Sequence, residues 1–459
     1  MTDSNAELSA DSVSRPRANT SFFSRIFERI LVAGRSMLDR PWAERQDAAS
    51  LAERCRELLT HRGRASGLAL SQEIISTYEE LSEPDRIEFF RLLSREFAIS
   101  TQNVLAAAER YRTEPTLEAV TELRKSLDAP FKRLFRRLNT VPGGTMATVR
   151  VRETLLTLTR DQPEFAWLEH DLKQLLIEWF NRGFLVLDRI DWDSSARVLE
   201  RVIKYEAVHE INGWEDLRNR LRRDRRCFAF FHLAIPHDPL IFLEVALTSG
   251  LPNSIGKLLA PDREILEPTD ADTATFYSIS NCHRGLQGIS FGDLLIKHVV
   301  ELLRQELENV QRFATLSPIP GLRGWLDKVQ PEALPAARRA DLAQARSRLT
   351  GLEALSSGEI ADREIENALV RLAAYYLAEA KRADGLPADS VARFHLANGA
   401  SIERLCWAAD MSANGMKRSW GIMVNYSYDP RAIESNHESY FRSYAVAASS
   451  AVRKLARNH

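Results

Sequence analysis

Residues 273–323, TATFYSISNCHRGLQGISFGDLLIKHVVELLRQELENVQRFATLSPIPGLR, set the architecture of the chain. The stretch begins with β-formers at Thr273, Thr275, Phe276, Tyr277 and Ile279, the composition that suits a pleated, half-buried surface. Gly285, Gly288 and Gly292 then punctuate a loop, where a backbone must turn tightly or lie close to another group. From Phe291 onward apolar side chains recur at Leu294, Leu295, Val299, Val300, Leu302, Leu303 and Leu307, close to the helical period. A second strand and a Ser317-Pro318-Ile319-Pro320-Gly321 corner come next. A helix that opens from a glycine loop offers unpaired N–H groups and the positive end of its dipole, a place for an anion such as pyrophosphate. No Gly-Lys-Ser/Thr follows, so the loop is not a P-loop, and its glycine spacing is not the dinucleotide fingerprint. Loops of this kind are as often structural as ligand-binding.

Upstream, CFAFFHLAIPHDPLIFLEVALTS (227–249) reads as a hairpin turning at Pro236-His237-Asp238-Pro239. The second half therefore runs hairpin, strand, loop, helix, strand and further helices, an α+β domain with a mixed sheet. Residues 1–19 form a polar tail without periodicity. Residues 20–188 read as amphipathic helices joined by short polar connectors, an all-α bundle. There Gly63 is a plausible helix C-cap, and Ser82 and Asp85 flank Pro84 as capping candidates. The mixed-sheet domain takes 189–459, entered through more helix; arginines between Arg218 and Arg226 read as a solvated face, because acids alternate with them.

Composition excludes several functions. The chain has 459 residues, 62 basic against 63 acidic, for a net charge of -1, which argues against a general nucleic-acid binder. Four cysteines, Cys55, Cys227, Cys282 and Cys406, lack metal-type spacing and imply reduced thiols. No apolar run is long enough to span a membrane. The N-terminal tail carries Asp3, Glu7 and Asp11, unlike a secretory or mitochondrial leader, and the C-terminus shows no peroxisomal tripeptide, so the expected compartment is the cytoplasm.

Taken singly, the candidate residues have bland readings. A serine before proline is usually a turn former, and His395 in an apolar, strand-like run reads as a core histidine. His61, His170, His232, His237, His283 and His298 are ordinary in the same sense.

The hairpin, strand, glycine loop and helix resemble the acyl-CoA-binding core of GNAT-type acetyltransferases. Several stretches together carry a more specific resemblance: RVIKYEAVHEI (201–211), FYSISNC (276–282), GLQGISFGDLLIK (285–297), LSPIPG (316–321), FHLANGA (394–400) and MVNYSY (423–428). In order and content they resemble the malonyl-CoA decarboxylase family, which pairs a helical oligomerisation domain with a GNAT-like catalytic domain carrying added helices. The resemblance implies decarboxylation of malonyl-CoA to acetyl-CoA and CO2, a step of fatty acid metabolism, with Ser317 and His395 as the catalytic pair. It places substrate binding on Gln287, Gly288, Ile289, Ser290, Phe291, Gly292 and Asp293, and on Tyr428. Ser290 stands where some relatives carry an acid. The resemblance implies no metal or redox cofactor, coenzyme A entering with the substrate, and a homo-oligomer, dimer or tetramer, formed through the helical domain.

The chemistry agrees with these residue types. Losing CO2 leaves an enolate, which needs a donor at the thioester oxygen and a proton at carbon. Ser317, held between prolines, suits the first task. His395, with an ordinary pKa of about 6.5, suits the second. The rival expectation is a GNAT-type acyltransferase that moves an acyl group to an amine.

Overall fold

The computed structural model describes residues 20–36, 47–289, 292–352 and 363–457. The chain divides into two compact units, at Glu178/Trp179.

The first unit is helical. Its helices include Ala48–Thr60, Arg64–Glu80, Glu83–Glu96, Pro130–Leu138 and Gly144–Leu158. They bury Leu51, Leu58, Phe90, Phe131 and Phe165 almost completely, and rings such as Phe131 and Phe135 pack 4.8 Å apart. Ser82 caps Glu83–Glu96, accepting from the Asp85 N–H, a bond typically worth about 1 kcal/mol. Gly63 has another role than expected: Ala48–Thr60 ends on His61, and Gly63 is the N-cap of the next helix.

The second unit is built on a mixed sheet. Its strands are β1 (Leu185–Ile190), β2 (Arg225–His232), β3 (Ile241–Thr248), β4 (Thr273–Asn281), β5 (Arg312–Thr315), β6 (Ser317–Pro318), β7 (Ser401–Cys406) and β8 (Met423–Ser427). They run in the order β1-β2-β3-β4-β5-β8-β6, with β7 also paired to β8. The hairpin β2–β3 and the strand β4 lie where the sequence puts them. β1 is not legible as a strand in the sequence, and a domain break at 188/189 would cut through it. The pair β4–β5 is parallel, with the helix Gly292–Glu306 as its crossover, the strand–loop–helix–strand order expected of a GNAT-like core.

β4 carries two irregularities. Its ladder with β5 ends at Phe276 opposite Thr315, while β4 continues to Asn281, so its distal half faces a gap. On the other side the β3 register steps from Glu244↔Ser278 to Val245↔Phe276, leaving Tyr277 as a bulge residue. Bulges re-aim side chains and recur beside active sites.

The arginines expected on a solvated face are partly inside. Arg220, Arg225 and Arg226 are buried; Arg220 pairs with Glu244 at 3.1 Å and Arg226 with Glu306 at 2.6 Å. Alternation of charge along the sequence there reflects internal pairing rather than exposure.

Candidate active site

The 316–321 corner and the 394–400 stretch meet. Ser317 opens β6, whose pairing with β8 fixes its backbone (Ser317↔Val424). His395 sits on a helix, Ser390–Ala397, not on a strand; a short, largely apolar helix imitates a strand run. Asp389 joins the two stretches: its carboxylate accepts from the Val391 and Ala392 N–H groups at 2.9 Å and from the Gly321 N–H at 3.3 Å. Gly321 has no room for a side chain, because a Cβ there would run into the Tyr376 hydroxyl.

The result is a continuous hydrogen-bonded chain. Ser317 Oγ donates to Thr315 Oγ1 at 2.8 Å and lies 3.1 Å from His395 Nε2. His395 Nδ1 lies 2.7 Å from the Tyr428 hydroxyl. A serine has a single proton, and here it goes to Thr315, so Nε2–H donates to Ser317 Oγ. Nδ1 of the neutral ring then accepts from Tyr428. Thr315 Oγ1 is itself fixed by the Tyr426 N–H at 3.2 Å. Burial drives the His395 pKa down to about 3, and burial raises that of Tyr428 well above its usual value. The site therefore holds a neutral imidazole and a neutral phenol. The expectation of a histidine titrating near neutrality does not survive its enclosure by Tyr426, stacked 4.4 Å away, and Tyr428.

Ser317 and His395 face a cleft of about 250 Å³, walled on the other side by Val208 and by Phe276, Tyr277, Ser278 and Ile279 of β4. Four successive residues of one strand can line a single space because β4 is bulged at Tyr277 and has no β5 partner beyond Phe276. Among the described residues that line the cleft, none is Lys, Arg, Asp or Glu.

The other expected site residues fall elsewhere. Tyr428 is fully buried and braces the imidazole from behind; it does not line the cleft, in contrast to the substrate contact expected of it. Gln287, Gly288 and Ile289 follow β4 in a turn stabilised by bonds such as Ile289 N–H to Leu286 C=O at 3.1 Å. Gly288 has φ +76°, a conformation that favours glycine. These three residues do not line the cleft. Gly292 and Asp293 open the helix Gly292–Glu306, whereas Ser290 and Phe291 lie outside the described residues. Thr315 and Asp389 do not stand out in the sequence as site residues. An acidic residue directly before an apolar helix is a legible capping signal for Asp389; nothing local marks Thr315.

Comparison with known proteins shows the family. A family model described as the malonyl-CoA decarboxylase C-terminal domain matches residues 183–459, and the N-terminal domain model of that name matches 97–180. The chain belongs to the malonyl-CoA decarboxylase family. A mitochondrial malonyl-CoA decarboxylase of Anser anser anser is 35% identical over 416 residues, 83% of this chain and 82% of the relative. The crystal structure of malonyl-CoA decarboxylase from Rhodopseudomonas palustris is 44% identical with a TM-score of 0.83, covering 89% of this chain and 99% of that one. The one from Agrobacterium vitis is 41% identical with a TM-score of 0.81, over 89% and 100%. Members of this family are carboxy-lyases, so the chain is an enzyme of that class. No helix among the described residues is long and apolar enough to cross a membrane.

Proposed function

We propose that the chain decarboxylates malonyl-CoA to acetyl-CoA and CO2, using Ser317 and His395. The observation that carries this reading is the 3.1 Å contact of Ser317 Oγ with His395 Nε2 inside the cleft. When substrate enters, the Ser317 proton turns from Thr315 to the thioester oxygen and stabilises the enolate left by CO2. Losing one such donor typically costs about 3 kcal/mol of barrier.

His395 supplies the proton to carbon, but from its neutral ring. The Nε2–H bond breaks as the C–H bond forms while Tyr428 O–H gives its proton to Nδ1. As product leaves, water in the cleft reprotonates Nε2 and Nδ1 returns its proton to the Tyr428 phenolate, which restores the starting tautomer. The enolate carbon is a far stronger base than a phenolate, which sets the direction of transfer. Tyr428 is then a positioning and proton-supplying residue rather than a substrate contact. The 287–293 loop and the helix mouth at Gly292 take the nucleotide end of coenzyme A. The reading requires no metal or redox cofactor. Four unpaired cysteines favour a reducing compartment, the cytoplasm in this reading, and assembly into a homo-oligomer runs through the helical unit.

Incubating purified enzyme with malonyl-CoA tests the reaction. CO2 and acetyl-CoA should appear in equal amounts with no acceptor present. Free coenzyme A released only on adding an amine would instead establish the acyltransferase.

A further inference from the structure

Beneath the cleft floor lies a carboxylate that the reaction as described does not use. Glu206 closes the helix Ala196–Tyr205 and is 7% exposed. Its hydrogen-bond partners among the described residues are all donors. Oε1 accepts from the Val208 and His209 N–H groups at 2.8 Å each. Ser278 Oγ donates to both oxygens at 2.7 Å, and Ser280 Oγ to Oε2 at 3.2 Å. Among the described residues it makes no ion pair. Four uncharged donors hold the group, and each of these contacts is donated to it, the geometry of an acceptor-only carboxylate.

That charge sits one hydroxyl away from the cleft, since Ser278 and Val208 both line it. The Ser278 proton is committed to Glu206, so only its lone pairs can face a ligand. The lining has no Lys or Arg among the described residues. A malonyl carboxylate lying against Ser278 meets only lone pairs there, with Glu206 behind them; Asn281 and Ser390, which can donate, line the same cleft. Decarboxylation removes the carboxylate's charge as neutral CO2 and moves the electron pair to the thioester oxygen, toward the donor Ser317.

We propose that Glu206 is a positioning residue for decarboxylation: held by Ser278, Ser280 and the 208–209 backbone, it disfavours the substrate carboxylate at the cleft floor more than it disfavours the transition state, and so drives the charge toward Ser317. This rests on the decarboxylase reading above. The effect belongs to the ground state, where repulsion is relieved as CO2 forms.

Glu206→Gln keeps the size and the acceptor for the Val208 and His209 N–H groups but removes the charge and turns the Ser278 hydroxyl around. The expected result is a kcat about tenfold lower with a KM for malonyl-CoA that falls, the pattern of lost ground-state repulsion. Binding of a slow-reacting malonyl-CoA analogue, nitrogen in place of the thioester sulfur, should tighten several-fold, about as expected from removing one like charge, while acetyl-CoA binding stays unchanged. A folded variant with wild-type kcat and KM overturns the proposal. So does a variant whose affinities for malonyl and acetyl thioesters weaken together as Tm falls, which is a structural role only. If the variant does not fold, the wild-type enzyme decides: the analogue binding no more tightly than acetyl-CoA supports the proposal, and the analogue binding tenfold more tightly overturns it. A wild type that binds acyl-CoA but releases no CO2 would refute the decarboxylase reading, and the same binding comparison would still decide the charge claim.

Discussion

On the Ser317 side of the cleft, Thr315, Ser317, His395 and Tyr428 form a chain of hydrogen bonds without a formal charge. Behind β4 the opposite holds: buried Glu244 pairs with Arg220 at 3.1 Å, and Glu206 is buried among uncharged donors. Burial pushes Glu244 up to about 8, with Arg220 and Arg225 pulling the other way, and burial pushes His209 down to about 4 against the pull of Asp410. The contrast teaches that the reacting groups work as dipoles while the charges act from behind a strand. Neutral donors need no reorganisation as charge develops, and in a dry cleft they act strongly.

Substitutions on the uncharged side should have the largest effects. Ser317→Ala should lower kcat by about 10²–10³-fold, as loss of an oxyanion donor does, with Tm little changed; turnover within tenfold of wild type removes the oxyanion role. His395→Asn should cost about 10²-fold in kcat, and undiminished steady-state CO2 release would expose a dispensable imidazole. Tyr428→Phe leaves Nδ1 without its donor and should cost about tenfold, chiefly in kcat rather than KM.

A smaller effect concerns pH. With His395 neutral down to about 3, kcat should show no ionisation near pH 6.5, and a histidine-like inflection that vanishes in His395→Asn would contradict the neutral chain. Stability responds through the same shifts. Below about pH 6.5 the unfolded chain protonates His209 and His395, whereas the folded chain does so only near 4 and 3. Glu244, raised to about 8, holds one extra proton in the folded chain over the same range and offsets one of these two. The unfolded state therefore binds more protons only once both histidines titrate, and Tm falls as pH drops from about 6 toward about 4.5. A Tm that rises as pH drops from about 6 to about 4.5 would break this account.

On the charged side, Glu244→Ala leaves buried Arg220 with Asp216 as its remaining ion-pair partner among the described residues and should cost about 3 kcal/mol of stability, read by denaturant titration, while kcat of the folded enzyme changes least of all. Large loss of kcat without loss of stability would erase the distinction between the two sides.

Much of this is readable from the chain itself. Alternating and periodic apolar residues give the β2–β3 hairpin, β4 and the crossover helix, because each buries a face whose period is local. β1 escapes such a reading: LVLDRI has polar residues at Asp188 and Arg189 and becomes a strand by pairing with β2, a non-local cause. Motifs name the pair Ser317 and His395, but not its working state. The pKa of His395 depends on Tyr426 and Tyr428 closing over it, and no spacing along the chain encodes that enclosure. Thr315 and Glu206 join near neighbours to distant residues, Ser317 to Tyr426 and the 208–209 backbone to Ser278 and Ser280, and the distant half of each set leaves no local mark. The division at Glu178/Trp179 also fixes where a truncation must begin. Residues 179–459 keep β1 whole and should bind acyl-CoA while forming smaller assemblies; unchanged particle size by light scattering removes the interface role of the helical unit.

The neutral chain is tested most directly by ¹⁵N NMR of the His395 ring in the intact enzyme. The account predicts one protonated nitrogen, Nε2, and an unprotonated Nδ1 accepting a hydrogen bond, unchanged from about pH 8 to pH 5. Two protonated ring nitrogens at neutral pH, or a titration centred near 6.5, would contradict it.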